Sequence, residues 1–145
     1  MLVPTSKNIA LSLIRTSHVP LYAVQEFRAE AHLAGVRLRR QVSPTVRSRE
    51  RSLRQMREIK LHFGCGRRIL PGWINIDGWR FPGVDFIADL RQPLPFADGA
   101  CRLIFTEHVF EHIHPEFRLS VLREFCRILK PGGTLRVVVP DCENL

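Results

Sequence analysis

Residues 59–66 read Ile-Lys-Leu-His-Phe-Gly-Cys-Gly, and the reading of the whole chain turns on them. Ile59, Leu61 and Phe63 alternate with Lys60 and His62, the period-two pattern of a strand, and that strand runs straight into Gly64 and Gly66. Residues without a Cβ permit tight or left-handed dihedrals and let a bound group touch the main chain. A lone Gly-x-Gly also ends strands for structural reasons alone, so its meaning depends on its surroundings.

Downstream, Trp73–Asp77 (W-I-N-I-D) and Val84–Asp89 (V-D-F-I-A-D) are short apolar segments that each close on an aspartate, with Pro71-Gly72 and Pro82-Gly83 before them. Pro93, Pro95 and Asp98-Gly99 predict a loop, and Arg102–Thr106 a fourth strand. In Glu116–Leu129, Phe117, Val121, Leu122, Phe125, Ile128 and Leu129 fall at helical spacing, and Pro131-Gly132-Gly133 is the expected stop. Thr134–Val139, rich in β-branched residues, is the fifth strand. The series predicts an α/β fold with a mostly parallel sheet of five strands.

Topology is open at one point. Parallel neighbours usually need a crossover of about a dozen residues, and the links after the first and second strands are shorter. Extended at about 3.3 Å per residue, such links just span a strand of roughly 17 Å. A hairpin turning at Pro71-Gly72 is the rival, and it would put Asp77 at the opposite sheet end from Gly64. Only the parallel version gathers Gly64, Asp77 and Asp89 at the carboxyl ends of the strands.

Upstream, the first 25 residues hold no acid, carry Lys7 and Arg15, and contain one apolar run, Ile9–Ile14. The run is too short for a secretory signal; the composition suits either an ordinary extension, the reading favoured here, or an organellar transit peptide. From Leu21 to Leu38 the residues Leu21, Val24, Phe27, Ala31, Ala34 and Leu38 draw one stripe on a helix that Pro20 can open. Arg47, Arg49, Arg51, Arg54 and Arg57 follow in a second helical stretch, either a solvated face or a contact for phosphates or an anionic surface. No aromatic residues interleave with them, which disfavours a single-strand nucleic-acid platform.

The 145 residues, 45% of them apolar, suit one globular core preceded by this extension, with the boundary expected at residues 58/59. Residues 1–58 carry eleven Lys/Arg against four Glu, and residues 59–145 eleven against ten acids, so the basicity lies in the first part. Cys65, Cys101, Cys126 and Cys142 form no C-x-x-C pair; reduced thiols in a cytoplasmic setting are expected, without a structural metal.

In order, L-H-F-G-C-G, P-G-W-I-N-I-D, D-F-I-A-D-L, P-L-P-F-A-D-G, E-H-V-F-E-H and L-R-E-F-C-R-I-L-K-P-G-G-T-L-R-V-V-V-P-D resemble the class I S-adenosylmethionine-dependent methyltransferases over about residues 59–142. The likeness is greatest to a small bacterial branch associated with glycan and cell-surface polysaccharide synthesis. The resemblance implies a Rossmann-like core that binds S-adenosylmethionine. It places Gly64, Cys65 and Gly66 at the methionine part, Asp77 at the ribose hydroxyls, and Asp89 at the adenine amine with Leu90 beside the ring. A carboxylate can accept from both ribose hydroxyls and mildly favours a nearby sulfonium. A nicotinamide dinucleotide fits less well: Ile69 stands where a third glycine belongs, and Asp77 comes too soon after Gly64.

The same resemblance sets Glu107 and His108 at the mouth of the fourth strand, His108 as a base toward an acceptor hydroxyl. Two other readings of the segment stand beside it. His108-x-x-Glu111-His112 matches the H-x-x-E-H of inverted zinc proteases, and Glu111 and His112 equally suit capping or packing. The tetrapeptide of amino-directed nucleic-acid methyltransferases is absent, Thr106-Glu107-His108-Val109 standing there instead. Arg102 replaces the family's usual aspartate, and the family continues beyond Leu145 with two further strands. The implied activity is methyl transfer to an oxygen of a glycan or small molecule; the alternative is a non-catalytic cofactor-binding or interaction module. With the later strands missing, Thr134–Val139 is expected to expose an edge open to self-association, leaving this chain alone inactive.

Overall fold

The computed structural model describes residues 20–141; the apolar run Ile9–Ile14, Cys142 and the end at Leu145 lie outside them. Helix α1 spans Leu21–Val42, four residues past the predicted stripe, and none of its residues is fully buried. The chain divides into two compact units, 1–35 and 36–145, at a point inside α1. Helix α2 is Pro44–Gln55: the Ser43 hydroxyl accepts the Val46 N–H, Pro44 occupies the first turn where no donor is lost, and Leu53 is its buried residue. Helix α3 is Pro115–Ile128. No described helix is long and apolar enough to cross a membrane.

The strands are β1 Ile59–Phe63, β2 Ile74–Asp77, β3 Phe86–Ile87, β4 Cys101–Glu107 and β5 Leu129–Val138. They form one sheet in the order β3-β2-β1-β4-β5, every pair parallel, a Rossmann-like α/β arrangement. The parallel β1–β2 ladder, with Leu61 opposite Ile74 and Phe63 opposite Ile76, rules out the hairpin.

Buried Asn75 explains how so short a link can serve a parallel pair. Its Oδ1 accepts the Leu70 N–H at 2.9 Å, and its Nδ2 donates to the Leu70 and Trp73 carbonyls at 3.1 and 3.2 Å. One side chain thus satisfies backbone groups that a crossover helix would otherwise pair internally. Both Pro-Gly pairs are reverse turns, closed by Trp73 N–H to Leu70 O and Val84 N–H to Phe81 O at 3.2 Å each, with Gly72 and Gly83 at φ 75° and 87° as a type II turn requires.

Strands β3 and β5 depart most from the sequence expectation. Because Val84 closes a turn and Asp89 opens another, β3 pairs only over Phe86–Ile87. Strand β5 begins at Leu129, opposite Cys101, and resumes at Thr134, opposite Leu103. Pro131-Gly132-Gly133 therefore lies in a bulge and does not stop α3, whose end is set by Leu129 already being extended. In the described sheet β5 is a terminal strand, with Val137 and Val139 exposed.

Leu61, Phe63 and Ile104 bury one sheet face with Leu53 of α2 and Val121, Phe125 and Ile128 of α3, and Phe63 meets Phe125 edge-on at 4.8 Å. Each such side chain contributes about 1.5–3 kcal/mol on burial. By strand alternation His62 and Phe105 point to the opposite face, stacked at 5.2 Å. Arg127 fastens the loop before β4, donating to the Leu94 and Phe96 carbonyls and pairing with Glu124 and Asp98.

Candidate active site

The chain steps from β1 through β2 to β3 on one side and then to β4 on the other, so the order reverses between β1 and β4. Ligands of open parallel sheets bind in the crevice at the carboxyl ends beside such a reversal. Gly64–Gly66, Asp77, Glu107 and His108 all lie at that end of the sheet.

The glycine turn is tied to β2 through its amides. Gly64 and Cys65 N–H both donate to the Ile76 carbonyl, at 2.9 and 3.0 Å, and Gly66 N–H donates to Asp77 Oδ2 at 2.8 Å. Asp77 Oδ1 accepts the Trp79 N–H at 2.8 Å, so this buried carboxylate orients the turns after β1 and β2 together. Phosphate-binding turns aim successive free N–H groups at the anion. Here all three point inward.

The two glycines differ. A Cβ at Gly64 would lie 2.3 Å from Val109 Cγ2, whereas one at Gly66 would meet nothing within 4 Å. Gly66 is the open face of the turn. Burial, aided by Asp77, pushes the Cys65 thiol up to about 11, so it stays protonated and is no nucleophile.

Asp89, after β3, is enclosed. Its side chain is 1% exposed and accepts from Arg91 Nε and Nη2 at 2.9 and 3.0 Å, from the Arg91 N–H at 3.1 Å, and from Arg37 Nη1 at 2.5 Å. Burial alone would raise this carboxyl; the arginine hydrogen bonds outweigh it and hold it below the usual carboxylate value. Four donors occupy the four lone-pair positions of a carboxylate. Neither arginine partner was read from sequence: Arg91 sits two positions on and was legible in principle, while Arg37 lies 52 residues away and gave no signal. Leu90 is partly buried against the core.

At the end of β4, Glu107 pairs with Arg68. His108 adopts φ 54°, an uncommon conformation for a residue with a Cβ, while its N–H continues the ladder to Val138 O at 3.0 Å. Its Nδ1 lies 3.2 Å from Glu111 Oε1, and Glu111 Oε2 and Thr106 Oγ1 are buried atoms without a hydrogen-bond partner. Because His108 precedes the short 3-10 turn Phe110–His112, the two histidines do not share a helical turn as the protease motif needs. Among the described residues no three His, Cys, Asp or Glu gather as a metal-binding group.

A family model described as a methyltransferase domain matches residues 72–137. The match takes in Asp77, Asp89, Leu90, Glu107 and His108 and begins after the glycine turn. No curated protein and no solved structure matches the chain.

Proposed function

We propose that this chain binds S-adenosylmethionine at the carboxyl ends of β1, β2 and β3 and transfers its methyl group to an oxygen of a glycan or small-molecule acceptor. The observation that carries the reading is the glycine turn, whose three amides are spent on Ile76 and Asp77. A turn of that kind suits a cofactor without phosphate in its binding loop. Asp77 beside it supplies the negative charge that favours a sulfonium and retains lone pairs for ribose hydroxyls. The methyltransferase-domain match supports the same class.

When bound, the cofactor supplies a methyl group on sulfur. The chain's own contribution is to position an acceptor at Glu107 and His108, where His108, held through Nδ1 by Glu111, takes a hydroxyl proton at Nε2. In this reading residues 59–145 are the cofactor-binding core and 1–58 a basic extension, and the free Cys65, Cys101 and Cys126 fit a reducing, cytoplasmic setting.

Calorimetry with S-adenosylhomocysteine, followed by transfer of labelled methyl from S-adenosylmethionine to acceptor sugars, tests the proposal; micromolar binding with transfer is expected, a result that would also overturn the expectation that the exposed β5 edge leaves the chain inactive alone. A second reading is a cofactor-binding or interaction module without turnover, and the saturation of Asp89, which leaves no lone pair for an adenine amine, weighs for its interaction form. Binding without transfer selects the cofactor-binding module, and absence of binding overturns it together with the methyl-transfer reading.

A further inference from the structure

On the sheet face opposite α3, two guanidiniums converge on one aromatic ring. Arg136 Cζ lies 5.5 Å and Arg68 Cζ 5.9 Å from the Phe105 centroid, and Phe105 is itself buried. Arg136 is the direct β5 neighbour of Phe105 in the ladder, while Arg68 reaches in from the link after the glycine turn. Only Arg68 has a carboxylate, Glu107. The Arg136 side chain makes no hydrogen bond or ion pair among the described residues, and its partner there is the ring. Lys60, 5.4 Å over Trp73, extends the same basic face, since Trp73 meets Phe105 at 6.3 Å.

Two guanidiniums on one ring with a single carboxylate between them leave positive charge there that an anion would offset. The planar guanidinium fork matches a carboxylate or phosphate with two parallel hydrogen bonds, and the side chain of Arg68 is 60% exposed and therefore reachable. The place also fits the chemistry. Phe105 stands two residues before Glu107, the last residue of β4, and three before His108, which follows the strand, about 7–10 Å away at about 3.3 Å per residue, the breadth of one sugar ring with its substituents.

We propose that the methyl acceptor carries an oxyanion, a carboxylate or a phosphate, and that Arg68 and Arg136 hold it over Phe105 while its hydroxyl faces His108. The proposal rests on the methyl-transfer reading and names its acceptor class.

The test titrates the full chain, with S-adenosylhomocysteine present, with glucose, glucuronate and glucose 6-phosphate, following amide shifts by NMR. At least one charged sugar should bind about tenfold tighter than glucose, the equivalent of one charge-assisted contact, and the one preferred tells carboxylate from phosphate. R136Q should bring the charged sugars to the glucose level and R136K should restore part of the preference, with S-adenosylhomocysteine affinity unchanged in both. Equal binding of all three sugars, or a preference that survives R136Q, overturns the proposal. Loss of S-adenosylhomocysteine binding in the wild type would instead overturn the cofactor reading, because the sugar preference can be measured without it.

Discussion

Replacing Asp89 by Asn isolates the most enclosed charge in the structure. The substitution keeps the shape but removes the charge that two guanidiniums share, and an amide cannot accept from both through both atoms. Breaking a buried ion pair from one side costs about 3–5 kcal/mol, because the surviving charge is left uncompensated. Here the survivors keep some access to water, their side chains being 15% exposed for Arg91 and 35% for Arg37. The expected loss is therefore smaller, about 2–3 kcal/mol, or about 6–9 °C in Tm for a chain of this size.

Proton linkage adds a second signature. The folded carboxyl of Asp89 is held below its unfolded value, so its contribution is complete above the unfolded value, about 3.9, and disappears as pH falls through the folded one. Urea unfolding followed by circular dichroism, at pH 7 and in steps downward from pH 5, measures both. Wild type and D89N should differ by the full amount at pH 7 and converge in acid. A variant within about 0.5 kcal/mol of wild type at pH 7, or a gap that persists in acid, would refute the assignment of the network as a stabilising one.

Asp77→Ala should weaken S-adenosylhomocysteine binding by about 1–3 kcal/mol in calorimetry while the chain stays folded; unchanged affinity removes Asp77 from the site. His108→Ala should leave that affinity nearly intact and slow transfer by about two to four orders of magnitude, and a rate within threefold of wild type would dismiss it as the base. At pH 8, iodoacetamide should label exposed Cys126 well before Cys65 and Cys101, whose thiols burial pushes up to about 11 and about 12, as peptide mass mapping would show.

The elements of the sheet were legible because alternation and Pro-Gly punctuation are local signals. Ile59–Phe63 and Ile74–Asp77 lie within the segments that the pattern drew. The parallel sheet was legible as a whole, but across the short β1–β2 link a hairpin stayed open, since closing that link depends on Asn75, and an Asn in a strand announces nothing of the kind. The start of β5 was misplaced for a related reason: Pro131-Gly132-Gly133 reads as a stop, while the ladder to Cys101 had already captured Leu129. Long-range pairing overrode a local breaker.

The glycine turn shows the same limit within the site, and the difference can be measured. In sequence Gly64 and Gly66 carry equal weight, yet only Gly64 faces a neighbour. Alanine at 64 must hold φ 69° and also displace Val109, whose Cγ2 would lie 2.3 Å from the new methyl. The left-handed backbone costs about 1–2 kcal/mol and the overlap another 1–3 kcal/mol. Alanine at 66, at φ 53° with open space around it, incurs the first cost alone. G64A should therefore lose about 2 kcal/mol more than G66A in urea unfolding, and V109A in the G64A background should recover most of that excess. G66A should be the more damaging to S-adenosylhomocysteine affinity relative to its cost in stability, because its methyl projects into the crevice rather than the core. If the two alanines destabilise equally, or if V109A fails to rescue, Val109 does not hold Gly64 in place, and both glycines revert to one role.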